Sequence, residues 1–244
     1  MKYGIFIFIL FTLLSCQHKV KQLHKQGMDY ILQEKYEQAI PLFSEAIQTD
    51  KDWLPAYYNR AICYANTKQY PEALKDFNYI LANCPAQAEA YFNRGIVYEN
   101  LGLYSNAIKD YSRAIQYQPD LITAYHYRGI ARFYMKDYDG ALSDYNQAMN
   151  LGLSETGLYF NRGVILQIKK NYKAAIRDYS QAIQIDPSNP KLFYNRAIAK
   201  MSLNQMEEAL KPGVEPDREA LKDLEIAARL GYEKAEETIH IYFK

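Results

Sequence analysis

A chain built entirely of stacked helix pairs is predicted by three observations: an ungapped internal period of 34 residues, recurring positions at helical spacing, and a proline or glycine where each period closes. A shift of 34 aligns Ala39, Ala73, Ala107, Ala141, Ala175 and Ala209. The same shift aligns Gly27, Ala61, Gly95, Gly129, Gly163 and Ala197, then Phe43, Phe77, Tyr111, Tyr145 and Tyr179, then Tyr36, Tyr70, Tyr104, Tyr138 and Tyr172. Ala46, Ala114, Ala148 and Ala182 form a further column that Ile80 interrupts. Small residues in both halves of the period let two helices approach closely. An aromatic four residues after the second small residue, and an Ala three later, mark one helix face. Two antiparallel helices per period follow. Pro85, Pro119 and Pro187 close the second helices because a residue without an N–H cannot continue one. Lys51 and Leu153 replace that proline in two periods, where Gly152 is expected to turn the chain in the second.

The N-terminus stands outside the period. Lys2 precedes an apolar run from Ile5 to Leu14, too short to span a bilayer and the right length for the apolar core of a secretory signal. It ends in Leu13-Leu14-Ser15-Cys16, which resembles the lipobox of bacterial lipoproteins. The resemblance implies cleavage of residues 1–15 and acylation of Cys16 by diacylglycerol and a fatty acid such as palmitate. Two or more acyl chains, at about 0.8 kcal/mol per buried methylene, make a stable membrane anchor. Residues 16–19 are expected as a short tether, so the folded body rides close to the bilayer. Gln17, rather than Asp, after the acylated Cys implies by analogy an outer-membrane lipoprotein facing the periplasm.

The period resembles the tetratricopeptide repeat, with its small, aromatic, Ala, aromatic, Ala and Pro positions. The resemblance spans residues 20–243 and implies a right-handed α-solenoid of about six helix pairs plus a C-terminal capping helix. The repeats are read as 20–53, 54–87, 88–121, 122–155, 156–189 and 190–232, with a cap at 233–243. In the sixth, Lys211-Pro212-Gly213-Val214-Glu215-Pro216 cannot lie inside a helix, and the small-aromatic column resumes at Ala220, Leu224 and Ala227. An insertion near 210–219 is expected there.

In the tetratricopeptide fold the first helices line a concave groove, with repeat positions 2, 5, 6, 9, 12 and 13 facing it. Position 6 carries Asn59, Asn93, Tyr127, Asn161 and Asn195; position 5 carries His24, Tyr58, Phe92, His126, Phe160 and Tyr194. An amide offers a donor and an acceptor, as an extended peptide backbone does, and flanking aromatics shield such bonds from water. Asn ladders in related superhelices bind extended peptides, which makes these residues the candidate partner site. The alternative is that each Asn bonds to the neighbouring repeat or to its own helix. Tyr127 breaks the ladder, at a bend or a side-chain pocket.

Next to that ladder runs Arg60, Arg94, Arg128, Arg162 and Arg196, matched in the second helices by Asp76, Asp110, Asp144, Asp178 and Asp223. Equal opposite charges at fixed places predict a repeated interhelix ion pair. The groove stripe offers only Lys21, Lys25 and Lys191 as cations, so a clamp for a partner's C-terminal carboxylate is not expected. A formal charge of +1, and balance once residues 1–15 are removed, give no field for nucleic acid. Cys63 and Cys84 should be free and mostly buried, too far apart along antiparallel helices for a disulfide. His18, His24, His126 and His240 are dispersed, without metal-ligand spacing, phosphate loop or nucleophile set beside them. The expectation is a non-enzymatic scaffold with no cofactor, metal or small-molecule substrate, docking a peptide or protein in its groove. The alternative is a structural or pilotin-like subunit of an envelope secretion or outer-membrane assembly.

Overall fold

The computed structural model describes residues 2–208 and 218–243, with side chains from Cys16 to Met206 and from Arg218 to Phe243. Among them are thirteen helices and no strand. The chain forms two compact units, Met1–Ala124 and Tyr125–Lys244. The first holds α1 (Lys2–Leu32), α2 (Tyr36–Thr49), α3 (Leu54–Asn66), α4 (Tyr70–Asn83), α5 (Ala88–Asn100) and α6 (Tyr104–Tyr117), each packed on the next. The second holds most of α7 (Ile122–Tyr134), then α8 (Tyr138–Asn150), α9 (Thr156–Ile168), α10 (Tyr172–Ile185), α11 (Pro190–Glu208), α12 (Arg218–Arg229) and α13 (Glu233–Tyr242). First helices also touch one another, α1 on α3, α3 on α5 and α9 on α11.

The closeness of each pair comes from the small-residue column meeting the aromatic column. A methyl group added at Gly95 would lie 2.6 Å from the Tyr111 ring, at Gly129 2.6 Å from Tyr145, and at Gly163 2.8 Å from Tyr179. Those three tyrosines are fully buried, as are Ala107, Ala141 and Ala175 beside them. Interiors at this density accept no additional methyl without a shift of ring or backbone.

The turn inside each pair has a period of its own. Glu34, Lys68, Gly102, Lys136 and Lys170 stand 34 apart, and all have positive φ, from 57° to 72°. Each turn closes with the amide of the following residue bonded back to the carbonyl five earlier, as in Gln69 N–H to Tyr64 O at 2.7 Å and Leu103 N–H to Tyr98 O at 2.8 Å. This is the Schellman end of a helix. Only Gly102 enters the left-handed region without a Cβ penalty. Between repeats, Gly152 turns with φ 101° where proline is missing.

Two ends depart from the expected pattern. The segment 16–19, expected as a tether, continues α1 without a break, at 1.5 Å per residue rather than as extended chain. No helix among the described residues is long and apolar enough to cross a membrane. In the sixth repeat α11 runs through Asn204, where the period would place the turn, and the second helix is supplied by α12 with Ala220, Asp223, Leu224 and Ala227 buried. Ala209 and the run from Lys211 to Pro216 lie outside the described residues, as does most of the expected insertion; its last two residues, Arg218 and Glu219, are helical. The cap α13 buries Ala235 and Thr238 but leaves Ile241 70% and Tyr242 58% exposed, so its outer face is less polar than expected. Cys63 is buried and its thiol is pushed up to about 12 by desolvation, which keeps it protonated. Cys84 is also free but only half-buried, because it caps the end of α4.

The packing argument separates two glycines. Gly95→Ala should lower stability by about 1–3 kcal/mol through the Tyr111 contact. Gly157→Ala, in α9 with open space around it, should leave stability unchanged or raise it by up to about 1 kcal/mol through helix propensity. Denaturant midpoints of the two variants measure this directly, and a Gly95 variant as stable as the parent would refute the close-approach account.

Candidate functional site

From the second repeat to the sixth, the arginine that follows position 6 sets the direction of the groove residue beside it. Arg60 donates from Nε and Nη2 to the two Asp76 oxygens, both at 2.8 Å. Arg94–Asp110, Arg128–Asp144, Arg162–Asp178 and Arg196–Asp223 repeat the bidentate pair at 2.6–3.0 Å. The third nitrogen reaches the second helix of the preceding repeat: Arg60 to Ser44, Arg94 to Asn78, Arg162 to Asn146 and Arg196 to Ser180, at 2.6–3.0 Å. One guanidinium thus joins three helices. The Ser44, Asn78, Asn146 and Ser180 column was legible at the 34-residue period, immediately after the buried aromatic, but polar residues there carry no signal of their own. Aromatic faces cover the guanidinium of Arg60 from Tyr57 and Tyr64, and that of Arg94 from Tyr91 and Tyr98. Asp144 and Asp223 each accept from a second cation, Arg132 at 2.8 Å and Lys200 at 2.9 Å. Buried aspartates at 2–5% exposure require such partners.

With the arginine turned inward, its neighbour at position 6 sits about 100° around the helix, toward the first-helix face. In the first unit the two asparagines there bond to the preceding repeat. The Asn59 amide nitrogen lies 2.8 Å from His24 Nε2, and Asn93 Nδ2 donates to Tyr58 Oη and to Glu89 O, both at 2.8 Å. Both hydrogens of the Asn93 amide are therefore engaged, which leaves its side chain only an acceptor to offer. The position-5 rings are half-buried lids on the core: His24 meets Phe43, Tyr58 meets Phe77 and Phe92 meets Tyr111, at centroid distances of 5.7–6.2 Å.

Two hollows flank these amides. One of about 590 Å³ includes His24, Tyr58, Asn59 and Glu89 in its wall. The other, of about 220 Å³, is lined by Ile62, Ala65 and Asn66 from α3, by Asn93, Ile96 and Asn100 from α5, and by Phe77. These are positions 9, 12 and 13 of one repeat and 6, 9 and 13 of the next, so the expected groove stripe forms a continuous wall here.

In the second unit the same 35-residue relation joins His126 to Asn161, but no hydrogen bond links them, and His126 Nε2 is buried without a partner. Asn161 is half-buried, and Asn195 donates only to Lys191 O of its own helix, at 2.7 Å. Tyr127 packs its ring against His126 at 5.9 Å, so the break in the ladder is an aromatic contact on the groove helix. Phe160 lies on Tyr179, and Tyr194 on Tyr232 of the α12–α13 turn. Burial lowers the pKa of His126, opposed by the Glu155 carboxylate, and burial likewise lowers that of His24. Among the described residues no group of His, Cys, Asp or Glu could hold a metal ion.

Models of the tetratricopeptide repeat match residues 30–78, 88–121 and 158–189. No curated protein matches the chain. Among solved structures, one from a functional characterisation of Pseudomonas aeruginosa PilF is similar at a TM-score of 0.75 and 15% identity, covering 92% of this chain and 99% of that one. YrrB, described as a tetratricopeptide protein with an unusual peptide-binding site, is similar at 0.67 and 21%, covering 80% and 96%. A tetratricopeptide repeat protein from Parabacteroides merdae is similar at 0.66 and 16%, covering 93% and 100%. At these identities the likeness is one of fold.

The unpartnered ring nitrogen of His126 makes a pH-linked prediction. A histidine whose pKa is lowered on folding stabilises the protein above its unfolded value of 6.5, and that stability is lost as pH falls through the folded pKa. His126→Phe, which places there the residue that Phe92 and Phe160 supply in other repeats, should raise stability at pH 7 by about 1 kcal/mol and flatten the fall below pH 6.5. Thermal midpoints across pH 5 to 7.5 test it; an unchanged acid slope would assign the loss elsewhere.

Proposed function

We infer that this chain of tetratricopeptide repeats is a membrane-tethered docking protein that holds an extended peptide or a protein partner against its first-helix faces and does no chemistry of its own. Tetratricopeptide folds typically serve as interaction scaffolds. The observation that carries the reading is the 220 Å³ hollow, where groove positions of two successive repeats place three amides around an apolar floor. Asn161 supports it from the second unit, since its half-buried amide has no partner among the described residues. The tether is Cys16, which is exposed and stands one helical turn before Val20, the first buried residue of the repeat core. Acyl chains at that thiol would hold the folded body against a bilayer, in our reading the outer membrane of a bacterial envelope facing the periplasm.

A second reading, a structural or pilotin-like subunit of an envelope secretion or outer-membrane assembly, is favoured by the C-terminal end. There Leu230, Ile241 and Tyr242 are 41%, 70% and 58% exposed. Docking through that end would leave the groove amides idle.

Crosslinked capture of partners from membranes separates the two. Under the groove reading Asn161→Ala should cut capture severalfold at unchanged thermal midpoint, whereas Asn59→Ala should also destabilise by about 1 kcal/mol through its lost bond to His24. Capture that survives Asn161→Ala but is lost on Ile241→Ser with Tyr242→Ser would transfer the function to the C-terminal end. For the tether, Cys16→Ala should abolish incorporation of labelled palmitate and move the chain from the detergent phase to the aqueous phase. A variant that stays in the detergent phase would overturn it.

A further inference from the structure

We propose that the smaller hollow of the first unit is a subsite for a lysine side chain of the docked peptide, an assignment that rests on the peptide-docking reading above. Its floor is apolar, formed by Ile62, Ile96 and Phe77. Its polar lining is Asn66, Asn93 and Asn100. Asn66 Nδ2 donates to Ile62 O at 2.9 Å and Asn100 Nδ2 to Ile96 O at 2.9 Å. A helix carbonyl only accepts, so it must face the amide nitrogen, and this orients the oxygen of each side chain away from its own helix. Asn93 goes further, because Glu89 O and Tyr58 Oη take both of its hydrogens. The rim therefore presents three amide oxygens, and Asn93 can act only as an acceptor.

An ammonium group carries three donors and no acceptor, which matches that rim, and the lysine stem of four methylenes suits the isoleucine and phenylalanine floor. A carboxylate would find one remaining N–H each on Asn66 and Asn100, none on Asn93, and no cation to neutralise it. None of the lining residues is cationic, so an ammonium group meets no like charge in the wall.

The second unit supplies the contrast. At the places of Ile62, Ala65 and Asn66 it carries Ile130, Phe133 and Tyr134, and at those of Asn93, Ile96 and Asn100 it carries Asn161, Val164 and Ile168. Tyr134 and Ile168 are 57% and 47% exposed. There a phenol and an isoleucine replace the two amides of position 13, so lysine selection belongs to the first unit.

The test uses the full chain in detergent micelles, labelled with ¹⁵N at asparagine, and flexible Gly/Ser peptides whose central residue is lysine, acetyl-lysine or norleucine. The lysine peptide should bind about five- to tenfold tighter than either other peptide and move the Asn66, Asn93 and Asn100 side-chain signals. The double variant Asn66→Tyr with Asn100→Ile, which copies the second unit, should bind norleucine at least as well as lysine with the thermal midpoint unchanged. Binding of all three peptides to the native chain with equal affinity overturns the lysine assignment and leaves peptide docking intact. Absence of any shift of these amides with every peptide overturns both.

Discussion

The arginine–aspartate pair is the constraint on which the rest of this structure depends. All five arginines hold a buried aspartate with two donors, and Arg60, Arg94, Arg162 and Arg196 hold the preceding repeat with a third, so in those repeats helix register, helix pairing and repeat stacking are set by one side chain. Removing either charge would strand the other next to packed apolar surface, which typically costs about 3–5 kcal/mol. Because consecutive helix residues differ by about 100°, fixing the arginine inward also fixes where its neighbour at position 6 can point. The binding face is therefore a consequence of the clamp.

The close approach of the helices supplies the second requirement. Bidentate geometry between facing helices needs their axes near enough for a planar fork to meet a short aspartate, and the glycine and alanine column opposite a buried ring provides that distance. Where the column holds glycine the ring fills the space of the missing methyl. Apolar packing and electrostatics thus specify the same register, which is the consistency expected of a sequence with a single native state.

Along the first-helix face the two units differ in how their amides are used. In the first, the amides of Asn59 and Asn93 join successive repeats through His24 and Tyr58, so their nitrogens are spent on holding the wall together. In the second, the equivalent link between His126 and Asn161 is unmade and His126 Nε2 is buried without a partner. A buried unpaired nitrogen costs stability, and such costs concentrate where a surface is adapted to something other than its own folding.

Period, helix pairing and the ion-pair columns were legible in the sequence because each is a local rule repeated at a fixed interval: Ala107 with Tyr111 needs only helical spacing, and Arg94 with Asp110 only the recurrence of opposite charges. The left-handed turn column was not legible, since Glu34, Lys68, Lys136 and Lys170 adopt by context a conformation that only Gly102 advertises. Nor could the sequence say that α1 continues through residues 16–19 or that α11 overruns its turn, because both outcomes depend on which neighbour each helix end meets. The sequence by itself determined which residues share a helix face. Only the tertiary structure decided which of the face's amides are tied to the next repeat and which remain open, because a hydrogen bond across repeats depends on ångström-scale placement that a one-dimensional pattern does not contain.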